Sequence, residues 1–241
     1  MVFDPVDDFE TAGYLRNFSQ EKDPELVKTV EHELFRANLP DAADYLGKHK
    51  ILRYSSFLKV HHILFNGFYP WAGQDRTQTA PKSYIHKGET FFSHPEDAAR
   101  AVNEGLRLGQ DTKVMKARPG EIMGLFAFGH PFLDGNGRTM LLVHAELCQR
   151  AGFSICWNET DKNDYLLALT DEIAKPAKGL LDRYLLKFIG PVQVKGGWAN
   201  MVATLRGLDG KGTMDEVAAI DSSIAVQYLQ FEKRRGYQIR Q

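Results

Sequence analysis

The chain has 241 residues, 43% of them hydrophobic and 25% charged, with a formal net charge of −1. That balance belongs to an ordinary globular protein of one domain, or one domain with an extension, and it provides no global field to draw the chain to nucleic acid or an acidic membrane. No apolar run approaches the roughly 20 residues of a membrane span, and Cys148 and Cys156 lie in no CxxC pattern, so buried thiols are expected rather than a disulfide framework or a metal site.

In chain order, the opening MVFDPVDDFE lacks the basic and apolar regions of a signal peptide, which leads to the expectation of a cytoplasmic protein. A protein delivered into a second cell would have the same composition. DPELVKTVEHELFRAN predicts a helix with Asp23 as N-cap and Pro24 at its first position. YSSFLKVHHILFNGFY puts Phe57, His61, Leu64, Phe65 and Phe68 near one helical face, and Gly67 with YPWAG ends it. KSYIHKGETFF, Lys82 to Phe92, breaks the helical rhythm and reads as a β-hairpin around a KGET turn. HPEDAARAVNEGLRLG is a helix whose acidic first turn suits its dipole. PGEIMGLFAFGHPF is apolar on most sides and should be a central buried helix. NGRTMLLVHAELCQRAGF starts the next, with Gly152 as its C-terminal stop. DKNDYLLALTDEIAK and AKGLLDRYLLKFIG follow on either side of Pro176. Beyond FIGPVQVKGG the composition loosens. RGLDGKGTMDE reads as a hinge before a last helix, whose basic end EKRRGYQIR is expected to be a solvated tail.

The architecture expected is all-α, a helical bundle with one short hairpin. It divides into an N-terminal helical segment (1–50), a core (51–190) and a C-terminal helical appendage (191–241). His61 and His62 are adjacent, not spaced to share a metal from one helix face, and packing or polar roles are expected for them. His144 is expected to be a satisfied core histidine. Trp71 and Trp157 are expected in the core.

The stretch HPFLDGNGR, His130 to Arg138, carries more chemistry than a turn needs. Helix N-termini present main-chain N–H groups and a positive dipole end, and glycines let an anion approach the backbone closely. Gly135, Asn136 and Gly137 opening a helix, with Arg138 as a guanidinium fork, make a site for phosphate oxygens. Asp134 beside a di- or triphosphate is a hard oxygen ligand suited to Mg²⁺. His130, at the end of the preceding buried helix, can take a proton from an attacking hydroxyl near neutral pH. Phe132 between them should anchor the loop in the core. A base, a metal ligand and an anion cradle are the parts that nucleotidyl or phosphoryl transfer requires.

These nine residues resemble the signature of the Fic family, HPFx(D/E)GNGR. HHILFNGFYPWAGQDRT and GFSICWNETDKNDYLLAL are similar to the segments that flank it, so the resemblance runs from about Ile51 to Ile189. It implies a helical Fic fold with a β-hairpin flap over the cleft, and transfer of AMP from ATP to a Ser, Thr or Tyr hydroxyl of a target protein with release of pyrophosphate. By position, His130 would deprotonate the hydroxyl and Asp134 would hold Mg²⁺. Gly135, Asn136 and Gly137 would bind phosphate oxygens, and Arg138 the β-phosphate. The flap residues Tyr84, Ile85, His86, Lys87, Gly88 and Glu89 would dock an extended target segment by main-chain pairing. Gly137 stands where Doc-type relatives, which act as kinases, carry a lysine.

Two departures qualify the resemblance. The usual signature continues to a second arginine, where this chain has Leu141. That loss leaves three readings: weaker ATP binding with intact chemistry, another donor such as UTP or a CDP-alcohol, or a nucleotide-binding module impaired in catalysis. The family's inhibitory pattern, (S/T)xxxE(G/N), is approached only by TVEHE, in which Leu34 follows Glu33. No built-in glutamate switch of the usual type is therefore expected, and substitution of Glu33 should leave activity nearly unchanged. Control by a separate small inhibitor protein stays open, and neither nucleic acid nor membrane is expected as a partner.

Overall fold

The structure is a computed structural model that describes residues 17–21, 23–193, 216–219 and 222–236. Helix α1 (Pro24–Lys48) begins as its sequence predicts: the Asp23 carboxylate accepts from the N–H groups of Glu25 and Leu26, with Pro24 in the first turn. It then runs through Pro40, well past the stretch its pattern suggested. Helix α2 (Tyr54–Phe65) buries Phe57, Val60, His61, Leu64 and Phe65. A single turn, α3 (Arg76–Thr79), is capped by Asp75 and leads into strands β1 (Ser83–Lys87) and β2 (Thr90–Phe91). Helices α4 (Pro95–Gly109), α5 (Thr112–Ala117), α6 (Pro119–Gly129) and α7 (Asn136–Ala151) follow. Strand β3 (Ser154–Ile155) pairs antiparallel with β4 (Ile189–Gly190), enclosing α8 (Lys162–Ala174) and α9 (Leu180–Leu185). Strand β5 (Glu216–Ala219) and helix α10 (Ser222–Arg235) complete the described chain.

Every residue of α6 is buried, as a helix apolar on all sides must be. It packs against α4, α7, α8 and α9, while α1 lies across α2 and α7. Close approach of α4 to α6 needs Gly105, where a Cβ would stand 2.7 Å from the Phe126 ring. Carboxylates buried between elements satisfy orphan helix N-termini. Asp182 accepts from Gly120 N–H at 2.6 Å, and Glu172 accepts from Leu180 N–H at 2.9 Å. Burial pushes the Asp182 carboxyl up to about 6.

The hairpin forms where the sequence places it. Its register is His86↔Phe91 and Lys87↔Thr90, closed by Gly88 at φ +56° and Glu89. A lone hairpin, however, is not what the fold contains. β5 adds to the other edge of β1, with register Ser83↔Ala219 through His86↔Glu216, giving a three-stranded antiparallel sheet in the order β2-β1-β5. The appendage also packs. Tyr228 and Phe231 of α10 are buried, and Arg235 is 8% exposed with its guanidinium 3.3 Å from the Phe128 ring centroid. Arg235 is therefore no part of a solvated tail. Of the expected hinge, only Glu216 lies within the described residues. Cys148 is buried and Cys156 half-buried, both as free thiols. His144 is satisfied in the core, its Nε2 donating to the Pro119 carbonyl at 2.8 Å.

Candidate active site

The signature loop joins the end of α6 to the start of α7. His130 terminates α6 in the left-handed region, φ 41° and ψ 58°. That conformation costs a non-glycine residue roughly 1–2 kcal/mol, and Arg76 offsets the cost. Arg76 is fully buried. Its Nε donates to the His130 carbonyl at 2.7 Å, its Nη2 to the Ser93 carbonyl at 2.6 Å, and its main-chain N–H to the Pro131 carbonyl at 2.8 Å. Ser93 in turn donates through Oγ to the Gly129 carbonyl at 2.8 Å. The segment that follows the flap, the turn α3 and the loop are thus tied through one guanidinium. The His130 ring stacks on Phe92 at 3.8 Å, and the residue is 6% exposed.

Phe132 ties the loop to the core. It is fully buried, stacked between Phe57 at 6.0 Å and His61 at 3.7 Å. Asn136 closes the loop from the other side. Its Oδ1 accepts from the Phe132 N–H at 2.9 Å and its Nδ2 donates to the Phe132 carbonyl at 2.7 Å. That side chain is spent on the loop, so only its main chain faces the anion role. His61 supplies a third pin: Nδ1 accepts from Gly73 N–H at 2.9 Å, and Nε2 lies 3.0 Å from the Asp134 carbonyl. The first bond fixes the tautomer, because the ring must then carry its proton on Nε2 and donate it to Asp134. Burial holds this imidazole down at about 3, so it is neutral.

The glycines divide their labour. Gly135 has φ +74° and serves as N-cap of α7, and a Cβ there would stand 2.5 Å from the Phe65 ring. It is needed for the turn. Gly137 faces open space, with nothing within 4 Å of an added Cβ. It is the glycine that leaves a path to the main chain. No side chain caps the N-terminus of α7, so a 16-residue helix presents its positive end at the signature loop.

Arg138 has a partner that its motif does not name. It is 7% exposed and turned onto α1, where Nη1 and Nη2 donate to Glu31 Oε2 and Oε1 at 2.8 and 2.6 Å. Its guanidinium also lies 4.7 Å from the Phe65 ring centroid and 3.5 Å from Asp134 Oδ1. Burial pushes the Glu31 carboxyl up, against the pull of Arg138 and of its hydrogen bond with Tyr69. Burial also works against the Arg138 charge, but Glu31 and Asp134 outweigh it and hold the guanidinium above its ordinary value. The fork assigned to phosphate is engaged by a carboxylate of the same chain. Glu33, the residue its motif singled out, is exposed. Glu31 was legible by another route: Val27, Glu31 and Phe35, at four-residue steps, form one buried stripe of α1, and a charge on an apolar stripe demands a partner. His61 gives a like signal on the apolar face of its helix, where a packing or polar role is expected, and Arg76 gives none.

Asp134 keeps a side chain 44% exposed. Among the described residues no three His, Cys, Asp or Glu side chains gather into a metal site. A divalent ion here would rest on this one carboxylate and on phosphate oxygens, which is the habit of Mg²⁺; the exposed carboxylate beside an uncapped helix N-terminus fits that.

Residues 51–148 match the model of the Fic/DOC family. The chain carries a Fic/DOC-family domain. The chain is 28% identical over 172 residues to the protein adenylyltransferase VbhT of Bartonella schoenbuchensis, covering 67% of this chain and 34% of that one. This chain thus spans about a third of that relative's length. It is also 28% identical over 170 residues to the probable protein adenylyltransferase y4lH of Sinorhizobium fredii, covering 64% of this chain and 81% of that one. Among solved structures, the Fic domain of a VirB-translocated Bep effector from Bartonella quintana with bound ADP superposes at TM-score 0.61, with 18% identity over 77% of this chain and 94% of that one. BepC from Bartonella tribocorum with bound AMPPNP does so at 0.57, with 16% identity over 74% and 93%. At those identities the superpositions establish the Fic fold.

Leu141, at the position of the second signature arginine, is 4% exposed in the apolar core. In the flap, Tyr84 and Ile85 are buried, His86 is half-buried, and Lys87, Gly88 and Glu89 are exposed. No helix among the described residues is long and apolar enough to cross a membrane.

Proposed function

We propose that this Fic domain transfers AMP from ATP to a Ser, Thr or Tyr hydroxyl of a target protein and releases pyrophosphate. The observation that carries this reading is the joining of His130, Asp134 and the uncapped start of α7 in one nine-residue loop pinned by Arg76, His61 and Asn136. The adenylyltransferase relatives and the nucleotide-bound neighbours support it.

In this reading the main chain around Gly137 and the helix dipole bind phosphate oxygens, and Asp134 would hold Mg²⁺, which supplies charge neutralisation at the diphosphate. His130 accepts the proton of the target hydroxyl as its oxygen bonds to the α-phosphorus. The bond to the bridging oxygen of the β-phosphate breaks, and pyrophosphate leaves. Arg138 joins the β-phosphate only after it parts from Glu31, and His130 meets a hydroxyl only after Phe92 gives way. The closed arrangement is read as a resting state.

Leu141 favours a second donor reading, since a chain without the second arginine gives a γ-phosphate less to hold. One experiment separates the possibilities. The protein is incubated with Mg²⁺ and radiolabelled ATP, UTP or a CDP-alcohol in cell lysate, beside His130→Ala. Label from ATP that vanishes with His130→Ala is expected. Label from UTP or the CDP-alcohol alone would rename the donor, and nucleotide binding without any label would leave a binding module. Delivery into a host cell, as the translocated neighbours suggest, belongs to the same proposal.

A further inference from the structure

The edge of β1 that faces away from the hairpin is occupied. Phe92 N–H donates to the Ile85 carbonyl at 3.1 Å, so the main chain of Ile85 faces β2. By the alternation of an antiparallel ladder, the main-chain groups of Tyr84 and His86 face β5. The pairs Tyr84↔Ala218 and His86↔Glu216 are therefore the hydrogen-bonded ones. β5 arrives from more than a hundred residues downstream and is held beside the flap by α10. The Tyr228 hydroxyl accepts from His94 N–H at 3.1 Å, and its ring lies 4.8 Å from Tyr84. Phe231 lies 5.9 Å from Phe91, and Arg235 Nε donates to the Ile173 carbonyl at 2.9 Å.

We infer that residues 216–219 are a resident strand in the place of the extended target segment, and that a target gains the flap by exchanging with them. The inference rests on the transferase reading for its function and on the sheet alone for its structure. Main-chain pairing carries little side-chain selectivity, so any extended segment brought alongside can replace a four-residue strand. The helix behind it need not move, because Tyr228, Phe231 and Arg235 keep their own contacts. The segment that fits is an unfolded or loop stretch of a second protein, entering antiparallel to β1.

The test removes one ladder bond. Ala218→Pro deletes an N–H that faces β1 and should release β5. Val217→Pro, whose N–H points away from β1 on an edge strand, should leave it paired. Glu216→Pro breaks the other bonded pair and gives a second route to the same result. Amide exchange is read at Tyr84 and His86, and binding is read with a fluorescein-labelled peptide of residues 213–221. Exchange about tenfold faster in Ala218→Pro and Glu216→Pro, with peptide binding to these and not to wild type, is the expected result. Unchanged exchange, or equal peptide binding to wild type, overturns the resident strand. Transfer of AMP to lysate proteins is measured in parallel and should rise severalfold in the released variants. Equal transfer in released and wild-type protein, with exchange altered, overturns the role of β5 in target entry. No transfer in any of them, with exchange and peptide binding as expected, sinks the transferase reading and leaves the strand exchange standing.

Discussion

His61 shows how much one neutral imidazole can fix. It accepts from Gly73 and donates to Asp134, which a protonated ring could not do. Burial holds it at about 3 and holds His144 at about 4. Both values lie below that of an unfolded histidine, so the native state binds fewer protons than the unfolded chain. The stability these rings contribute is whole above pH 6.5 and drains away as pH falls toward their folded values. At pH 5 each should cost up to about 2 kcal/mol. Asp182, raised to about 6, gains stability over the same span and offsets part of this loss. A melting-temperature series from pH 7 to 5 should still fall, and His144→Gln, which keeps the donor to Pro119, should cut the slope by half or more. An unchanged slope in His144→Gln would show that this ring is not buried as neutral. Glu31 gives a second prediction at this scale. Glu31→Gln removes the anion that competes for Arg138, so ATP affinity by calorimetry should rise on the order of tenfold, while the melting temperature without nucleotide drops. Glu33→Gly should change neither. Arg138 is legible from its motif, whereas its partner Glu31 belongs to no motif and is marked only by the buried stripe on which it sits.

At the scale of elements, the loop was legible and its supports were not. Gly152 as stop, Asp23 as cap and the hairpin around Gly88 all follow from local rules, since each depends on residues within one turn of itself. Arg76 does not, because its partners at His130 and Ser93 are brought together only by packing. The run of α1 through Pro40 escaped for the same reason, as packing against α2 and α7 overrides the local signal. The two glycines of the loop offer a sharp contrast. Gly135→Ala must take φ +74° and meet Phe65, and should lose about 2–4 kcal/mol by denaturant melting. Gly137→Ala meets nothing and sits in a helix, so its stability should hold within about 0.5 kcal/mol. Its nucleotide affinity should nonetheless fall about tenfold or more, because the methyl group stands where phosphate would approach. If Gly137→Ala binds ATP as wild type does, the anion site is misplaced.

For the whole molecule, the division into an N-terminal segment, a core and an appendage understates how the parts interlock. Composition set residues beyond 190 apart as a helical appendage without saying what it contacts, and α10 buries Tyr228, Phe231 and Arg235 against the flap, α6 and α8. No short-range pattern could announce contacts across such distances in sequence. Phe231→Ala should loosen the flap as well as the helix. Exchange at Ile85 and Phe91 should accelerate with that at α10, whereas a freely attached tail would leave the flap untouched.

Two contacts come from far apart in the chain: Glu31 of the first described helix holds Arg138 of the signature loop, and β5 with α10 lies along the flap. During synthesis on a ribosome Glu31 has already emerged when the signature loop appears, while residues 216–219 follow nearly eighty residues after Arg138. A nascent chain could thus pair its arginine with Glu31 as soon as the loop forms, while the free edge of β1 stays bare until residues 216–219 follow.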